Sequence, residues 1–399
     1  MVALLLVVFV NFIGIGALIP VLPFAVIEEL GYSETVMTAL LASFALAMFV
    51  GNPLQGRLSD FTGRKRILLL ALAVNVAANI WFAFSEDIVS LFVARILAGL
   101  AAGNMGVIQA MIADRSSPDQ RARLMGYMGA AVGAGFVLGP AIGGLFSGIG
   151  SGPIYQTPFL IAAGFGLLAM LLCFRLEETA PDQGDGAVAS PAGRPRLFGR
   201  LAELLAGPLG LFALGFFFFN LGFAQVEASF VLLVRDWLGF GARETGWLFA
   251  WVGFCIILVQ GGLIGRVVAL LGEMATARFG ALLLFCGQLS TVLFASLGLL
   301  SQLPALLLLG LCTTMICCGF AFTNPTLSSA SSRLARQGEM GGSLGLVQGF
   351  GSLGQVIGLS IAGPFYAFGG SAFNFGFAAL ITLFLLVVIL VLGRRIAAA

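Results

Sequence analysis

Twelve long apolar runs divide this chain, and they limit its possible folds more than any other feature of the sequence. A helix needs about 20 apolar residues to cross the hydrocarbon core of a bilayer, and it satisfies its own backbone hydrogen bonds there. Only 10% of the residues are charged, against about 25% in soluble domains. We therefore predict an all-α membrane protein with twelve transmembrane helices. The predicted spans are approximately residues 3–26, 35–56, 67–84, 88–112, 124–148, 155–174, 207–234, 246–265, 276–298, 302–328, 341–366 and 371–393.

Several classes of function conflict with what the chain lacks. It contains no histidine, which removes the usual metal ligand and the usual proton carrier near neutral pH. Its six cysteines lie within or at the ends of apolar runs and do not have the spacing of a ligand set. No phosphate-binding G-x-x-x-x-G-K-[ST] loop is present, and a net charge of +2 offers no basic surface for nucleic acid. We expect no enzymatic activity, no cofactor, no metal and no nucleic-acid partner.

The distribution of Lys and Arg predicts the orientation. With the N-terminus inside, 17 of the 20 basic residues fall in inner loops or the C-terminal tail, as the positive-inside rule requires. The exceptions are Arg235 and Arg243 in outer loops and Arg95 within a span. The first run lacks the basic n-region of a signal peptide and is too long for its apolar core. We therefore interpret it as the first span and expect both termini in the cytoplasm.

One polar stretch divides the spans six and six. Residues 177–200 are rich in Pro, Gly and Asp, a composition typical of a flexible connection. We predict an N-terminal six-helix bundle over residues 1–176, a cytoplasmic linker over 177–205 and a C-terminal six-helix bundle over 206–399. Residues 197–205 fit either a short interfacial helix or an extension of the seventh span. The fifth and eleventh spans open with the same glycine spacing, which indicates two repeats.

The short loop after the second span has a distinctive pattern, Gly56-Arg-Leu-Ser-Asp60-Phe-Thr-Gly63-Arg64-Lys65. We call residues 56–65 the signature loop. Gly56 permits another helix to approach, Gly63 permits a tight turn, and Asp60 suits the positive N-terminus of a helix. In isolation the pattern also fits a positive-inside loop with a turn.

Three further motifs lie within spans. Ile13-Gly14 is followed by Pro20-Val-Leu-Pro23, and residues 91–103 centre on Arg95 and Gly99. The fifth-span motif consists of glycines and one proline, namely Gly135, Gly139, Pro140, Gly143 and Gly144. With the signature loop, they resemble the major facilitator superfamily, specifically the twelve-spanner drug:proton antiporters and most of all their tetracycline/proton branch.

The resemblance implies two pseudo-symmetric six-helix bundles and alternating access. It also implies export of a small molecule in exchange for protons, in a bacterial inner (plasma) membrane, by a monomer. In that family the fifth-span motif packs helices that rock against each other. Gly139 and Gly143 lie four residues apart on one helix face, where they permit close backbone contact. The chain departs from the family at Asn11, where the tetracycline antiporters have an Asp, because an amide does not titrate.

Glu227 and Arg95 are the charged residues placed well inside predicted spans. Such charges are costly in a membrane and usually face a cavity or a partner, although a purely structural pair would also explain them. We predict that Glu227 binds the coupled proton and that Arg95 is its conformational partner across the gap between the bundles.

The resemblance also predicts a central cavity lined by spans one, four, seven and ten. Polar or aromatic residues in or near those spans are candidates to line it, although each is individually more typical of a helix–helix hydrogen bond. The candidates are Asn11, Asn104, Gln109, Asn220, Gln225, Trp251 and Asn324.

Secondary active export of a small amphipathic or apolar compound is the function that these features favour. Two alternatives remain open at this point. One is a facilitator or symporter of a metabolite or lipid, and the other is a transporter-like scaffold or receptor that no longer cycles. The signature loop and Glu227 favour transport, whereas Asn11 keeps the alternatives in view.

The first prediction concerns Asp60. We expect it to stabilise the outward-facing conformer by facing a helix N-terminus, an interaction worth about 0.3–1 kcal/mol. Asp60→Asn should then shift the conformer populations and slow transport while expression stays intact. Spin-label distances between the halves, with a transport assay, measure both effects. Unchanged distances together with normal transport would contradict the prediction.

Overall fold

The chain folds almost entirely into helices. The computed structural model describes residues 1–116, 118–149, 152–179, 207–297, 305–334 and 340–398, and within these ranges it contains no strand. Twelve membrane helices follow from the elements, and we number them α1 to α12 in chain order. The first six are α1 (Val2–Ala17, continued by the π-helical segment Phe24–Glu29), α2 (Glu34–Thr62), α3 (Arg64–Ala83), α4 (Ile88–Ala102 and Met105–Asp114), α5 (Pro118–Phe146) and α6 (Gln156–Phe174).

The second six follow the same plan. They are α7 (Pro208–Leu238), α8 (Ala242–Leu258, the π-helical Val259–Leu263 and Ile264–Leu271), α9 (Glu273–Ser296), α10 (Ala305–Leu334), and α11 and α12, which together form Met340–Ala398. Non-helical backbone at Gly369 and Gly370 separates α11 from α12. The predicted twelve-helix membrane fold is thereby confirmed, and α2 extends several residues beyond its predicted end.

Local sequence explains where helices begin and break. The Ser33 hydroxyl accepts a hydrogen bond from the Val36 amide and caps α2, and the Asp87 carboxylate does the same for α4 through the Ser90 amide. Gly63 separates α2 from α3 with a φ of 104°, a conformation that favours glycine. These caps set the lengths of the first spans.

The predicted linker lies largely outside the described residues. The structure describes nothing between residues 179 and 207, so the segment 197–205 is not placed. The boundaries 1–176, 177–205 and 206–399 therefore stay predictions.

The two halves are related by a repeated packing pattern. Helix α5 packs on α1 of its own half and on α8 of the other half, while α11 packs on α7 and on α2 in the same way. Each glycine-rich helix thus has one face toward its own bundle and one toward the opposite bundle. This arrangement is the pseudo-symmetry that the glycine spacing predicts.

Small residues form one of the seams between the halves. A buried cluster joins α2 with α7 and α11, and it consists of Ala42, Ala45, Ala224, Ala228, Leu359 and Ala362. Small side chains let helix backbones approach closely where lipid supplies no hydrophobic drive between helices. The seam continues to Gly363 of α11, where a Cβ would lie 2.6 Å from the Thr35 Cα of α2.

A charged cluster ends this seam, and we call it the far-end cluster because it lies at the opposite end of α2 from the signature loop. It consists of Glu34, Arg235, Asp236 and Tyr366. Arg235 pairs with Glu34 of the other half at 3.5 Å and with Asp236 at 2.8 Å. The Tyr366 hydroxyl donates to Asp236. The ion pair between Glu34 and Arg235 therefore connects the halves at the far end.

The far-end cluster generates the second prediction. The side chains of Arg235 and Glu34 are 20% and 29% exposed, so their pairing should contribute about 0.2–1 kcal/mol to the conformer closed at that end. Glu34→Gln and Arg235→Gln should each raise the fraction that is open there, by up to about fivefold. Spin labels at residues 86 and 243, in a cysteine-free background, report the opening.

The double variant serves as the control, because Arg235 also contacts Asp236. If the pair acts as a unit, the double variant opens the far end less than the two single effects added together. Strict additivity would show that Glu34 and Arg235 are not coupled.

Candidate functional site

A cavity of about 140 Å³ lies between the halves. The first half supplies most of its lining from α1 to α5, and the second half supplies residues of α7 and α11. Most of the lining is apolar, including Phe12 and Phe136, whose rings meet edge to face at 5.3 Å. Five lining residues are polar, namely Asn75, Asn79, Arg95, Glu227 and Gln355. An apolar chamber with a few convergent polar groups is typical of a small-molecule site.

Glu227 reaches this cavity from α7. Its carboxylate accepts a hydrogen bond from the Gln355 side chain of α11 at 3.4 Å. It is the one carboxylate in the cavity lining that the structure describes. A neutral amide satisfies only part of a carboxylate's capacity to accept hydrogen bonds. Glu227 therefore has capacity left for a proton or a cationic group.

Arg95 reaches the same cavity from α4 and is 6% exposed. Its guanidinium lies over the Phe44 ring of α2, 4.8 Å from the ring centre, a favourable cation–π contact. Its Nε has no hydrogen-bond partner. Among the described residues no ion pair joins Arg95 to Glu227 within 4.0 Å. The predicted pair is not formed in this conformation, and its formation in another stays a prediction.

Three asparagines form a ladder beside the cavity. The Asn79 amide donates to the Asn75 carbonyl at 3.1 Å, and the Asn75 amide donates to the Asn11 carbonyl at 3.3 Å. All three are buried. Asn11 is thus one residue behind the cavity wall, where it holds the α3 amides that line the cavity.

The other predicted cavity residues have different partners. Asn220 donates to the Phe216 carbonyl one turn earlier, Gln225 donates to the Gly358 carbonyl of α11, and the Trp251 indole donates to Thr314 of α10. In the described part of the chain, the cavity lining includes none of the seven candidates. Gln225 and Trp251 thus join neighbouring helices, which is the simpler alternative for such residues, whereas Asn220 bonds within its own helix.

The remaining candidates also lie outside the lining of this cavity. Asn104 is buried at the break in α4, Gln109 is exposed, and Asn324 is half-buried. The lining that the structure describes comes from α1, α2, α3, α4, α5, α7 and α11 and contains no residue of α10. The small-residue seam places α2 and α11 side by side at this cavity. Lining by the first, fourth, seventh and tenth spans stays a prediction.

The described contacts of the signature loop lie within the first half and at Glu178, at the start of the predicted linker. Arg64 pairs with Asp60 at 2.6 Å and with Asp114 of α4 at 3.0 Å. The backbone amide of Lys65 donates to Glu178, so Glu178 and not Asp60 occupies the N-terminus of α3 here. The side chain of Asp60 is 53% exposed, and a Cβ at Gly56 would have nothing within 4 Å. No helix of the described chain therefore packs on Gly56 in this conformation.

The fifth-span motif has glycines on two faces of α5. A Cβ at Gly139 would lie 2.6 Å from the Ile13 carbonyl oxygen, and Gly135 and Gly143 also face α1. The Pro140 ring lies against Gly16 of α1. Gly144 faces the other way, where a Cβ would lie 2.7 Å from the Gly246 Cα of α8. One motif thus packs α5 on its own bundle and on the opposite bundle.

Sequence reasoning missed Asn75, Asn79, Gln355 and Phe44. A signal existed for the first two, because they lie four residues apart in an otherwise apolar span and so share a helix face. Gln355 is one of two glutamines, with Gln348, in the largely apolar eleventh span. These residues lie on α2, α3 and α11, which are not among the four spans that the resemblance assigns to the cavity.

Comparison with known proteins supplies the family. A profile described as Major Facilitator Superfamily matches residues 4–358. The chain is 30% identical to multidrug resistance protein 1 of Bacillus subtilis (strain 168), over 90% of this chain and 87% of that protein. It is 34% identical to the class G tetracycline resistance protein of Vibrio anguillarum, over 69% and 70%. The fold matches a crystal structure of a D-xylose-proton symporter with a TM-score of 0.78 at 17% identity, covering 96% of each chain.

The third prediction tests the α5–α1 seam with a matched pair of glycines. Gly139→Leu should block cycling, because its side chain has no space against α1, and overpacking costs about 1–3 kcal/mol. Gly133→Leu on the same helix is the control, since a Cβ there meets nothing within 4 Å. Transport rates in proteoliposomes, at equal amounts of folded protein, measure the effect. Equal activity of the two variants would show that the Gly139 face is not a packing seam during transport.

Proposed function

Because this chain belongs to the major facilitator superfamily, we propose that it exports a small amphipathic or apolar compound in exchange for protons. The observation that carries the proposal is a buried carboxylate, Glu227, in an apolar cavity between two helical bundles. Matching resistance proteins along most of the chain supports drug-like compounds as the substrate class. The chain carries its cargo unchanged, without enzymatic chemistry.

Alternating access follows from where the halves contact each other. They are joined at the far end by the Glu34–Arg235 pair, whereas the described ion pairs of the signature loop stay within the first half. We place both termini in the cytoplasm of a bacterial cell, so the far end faces outward and is closed. Transport then consists of rocking along the α5–α8 and α2–α11 seams, where glycine and alanine permit close sliding contact.

Glu227 is the proton site in this mechanism. It alone among the described cavity residues exchanges a proton at ordinary pH, and its neighbour Gln355 does not titrate. A proton from outside would neutralise Glu227 in the outward-open state, and deprotonation toward the cytoplasm would restore the charge. Proton and substrate occupy the cavity alternately, which is the requirement of an antiporter.

The oligomeric state, the domain bounds and the partners are part of the same proposal. The protein acts as a monomer in the bilayer, with bundles over residues 1–176 and 206–399 and no nucleic-acid partner. A facilitator would not need a titratable group in its cavity, and a non-cycling scaffold would not need glycine seams between its halves. Neither alternative is therefore favoured.

The fourth prediction is that Glu227→Gln separates substrate binding from proton coupling. The amide keeps the shape of the carboxylate and its contact with Gln355 but binds no proton. Net export driven by a pH gradient should disappear, whereas the protein should still bind and exchange substrate, with lower affinity for compounds whose cationic group contacts Glu227. Proteoliposomes with an imposed pH gradient, a panel of compounds and a pH-sensitive dye measure export and proton flux together.

Glu28→Gln is the control, because Glu28 is an exposed glutamate at the end of the first helix. It should export normally. Accumulation of substrate against its gradient by the Glu227→Gln protein would remove Glu227 from the mechanism.

A further inference from the structure

Arg95 is a buried cation with no anionic partner in the described part of the chain. It forms no hydrogen bond or ion pair with any other residue that the structure describes, and Phe44 covers one face of its guanidinium. Buried charged groups are normally paired, because leaving them unpaired is costly. A guanidinium has five donors and no acceptor. Any group that completes Arg95 must accept hydrogen bonds, and the cavity is the open space that Arg95 faces.

The polar groups of the cavity belong to both halves, and we call the set from the first half the donor pole and the set from the second half the acceptor pole. The donor pole is Arg95 with the amides of Asn75 and Asn79, on α3 and α4 of the first half. The asparagine ladder holds those amides in place because Asn75 is hydrogen-bonded on both sides. This pole suits a carboxylate or a similar anionic oxygen group.

The acceptor pole is Glu227 with Gln355, on α7 and α11 of the second half. Its carboxylate has no cationic partner among the described residues. This pole suits an ammonium group or a proton. A basic and an acidic side chain thus line one cavity without an ion pair between them in this conformation, and most of the lining around them is apolar.

We propose that the cavity selects zwitterionic amphiphiles, with an anionic group at Arg95, an ammonium group at Glu227 and an apolar body between them. The inference rests on the proposed function, since it assigns the substrate of the same cavity. A purely cationic compound would satisfy Glu227 but would leave Arg95 unpaired and be repelled by it. Repulsion of the wrong compound contributes to substrate specificity, as attraction of the right one does.

The two poles have different tasks in coupling. The ammonium group of the substrate and the proton compete for Glu227, so each displaces the other, as antiport requires. The anionic group at Arg95 does not compete with the proton and serves recognition. Because the poles belong to different halves, a bound zwitterion contacts both halves at once. Its affinity therefore depends on the relative position of the halves.

The volume of the cavity determines the size of the compounds that can test this proposal. A volume of about 140 Å³ is close to that of engineered cavities that hold one benzene ring. The probes are 4-(aminomethyl)benzoate, its methyl ester, which is only cationic, and 4-methylbenzoate, which is only anionic. All three share one aromatic ring and differ in the charges at its ends.

The fifth prediction is a pattern of affinities measured by calorimetry on the full chain in nanodiscs. Wild type should bind the zwitterion at least about tenfold more tightly than either singly charged probe, since each charge-assisted hydrogen bond contributes at least that factor. Arg95→Gln should bring the ratio of zwitterion to ester affinity to about one, and Arg95→Lys should restore part of it. Glu227→Gln should weaken both amine-bearing probes and leave 4-methylbenzoate unchanged.

A structural role for Arg95 would change the affinity for all three probes together, whereas the proposal changes their ratio. If an Arg95 variant fails to fold, the probe series on wild type and on the Glu227→Gln protein decides. Equal or tighter binding of the ester by wild type, or no binding of the zwitterion at millimolar concentration, would overturn the proposal. Proton-coupled export by wild type with a ratio of one would reject the substrate class alone. A high ratio without proton-coupled export would reject the proposed antiport and keep the binding preference.

Discussion

Close contact between helix backbones is the constraint on which the rest of this structure depends. Lipid gives no hydrophobic drive between helices, so the bundle relies on small residues that let backbones meet. Gly139 and Gly143 bring α5 onto α1, and Gly144 of the same helix brings it onto α8 of the other half. α11 repeats the plan with Gly358 on α7 and Gly363 on α2. One helix in each half, α5 or α11, therefore packs both on its own bundle and on the opposite bundle.

The position of the cavity follows from this packing. Because α2 and α11 pack together along the small-residue seam, Phe44 and Gln355 line the space between the halves. The closing of the seam also brings Glu34 of α2 beside Arg235 of α7. The signature loop lies at the other end of α2, and its described ion pairs connect helices of one half. One conformation thus combines a far end that is joined across the halves with a signature loop whose contacts remain local.

The chemistry of the cavity depends on Arg95 and Glu227, two described residues that form no ion pair with each other in this conformation. Arg95 and Glu227 face one apolar space from opposite halves, each with only a neutral neighbour. If they formed an ion pair, the cavity would be electrically closed to a charged ligand. Because no ion pair joins these two described residues, a cationic and an acidic side chain remain available to a ligand in the same cavity. Recognition and coupling can therefore be assigned to different residues of the same cavity.

Sequence alone determined the membrane class, the twelve helices, the family resemblance and the two intramembrane charges. These follow from properties of short segments, because the length of an apolar run and the cost of a charge within it do not depend on the rest of the fold. The tertiary structure decided which side chains face the cavity. Asn220 and Gln225 look as suitable as Asn75 and Gln355 in sequence, yet they bond to neighbouring backbone instead. Each side of a membrane helix faces lipid, another helix or a cavity. Only the packing of the neighbouring helices determines which side faces which of these.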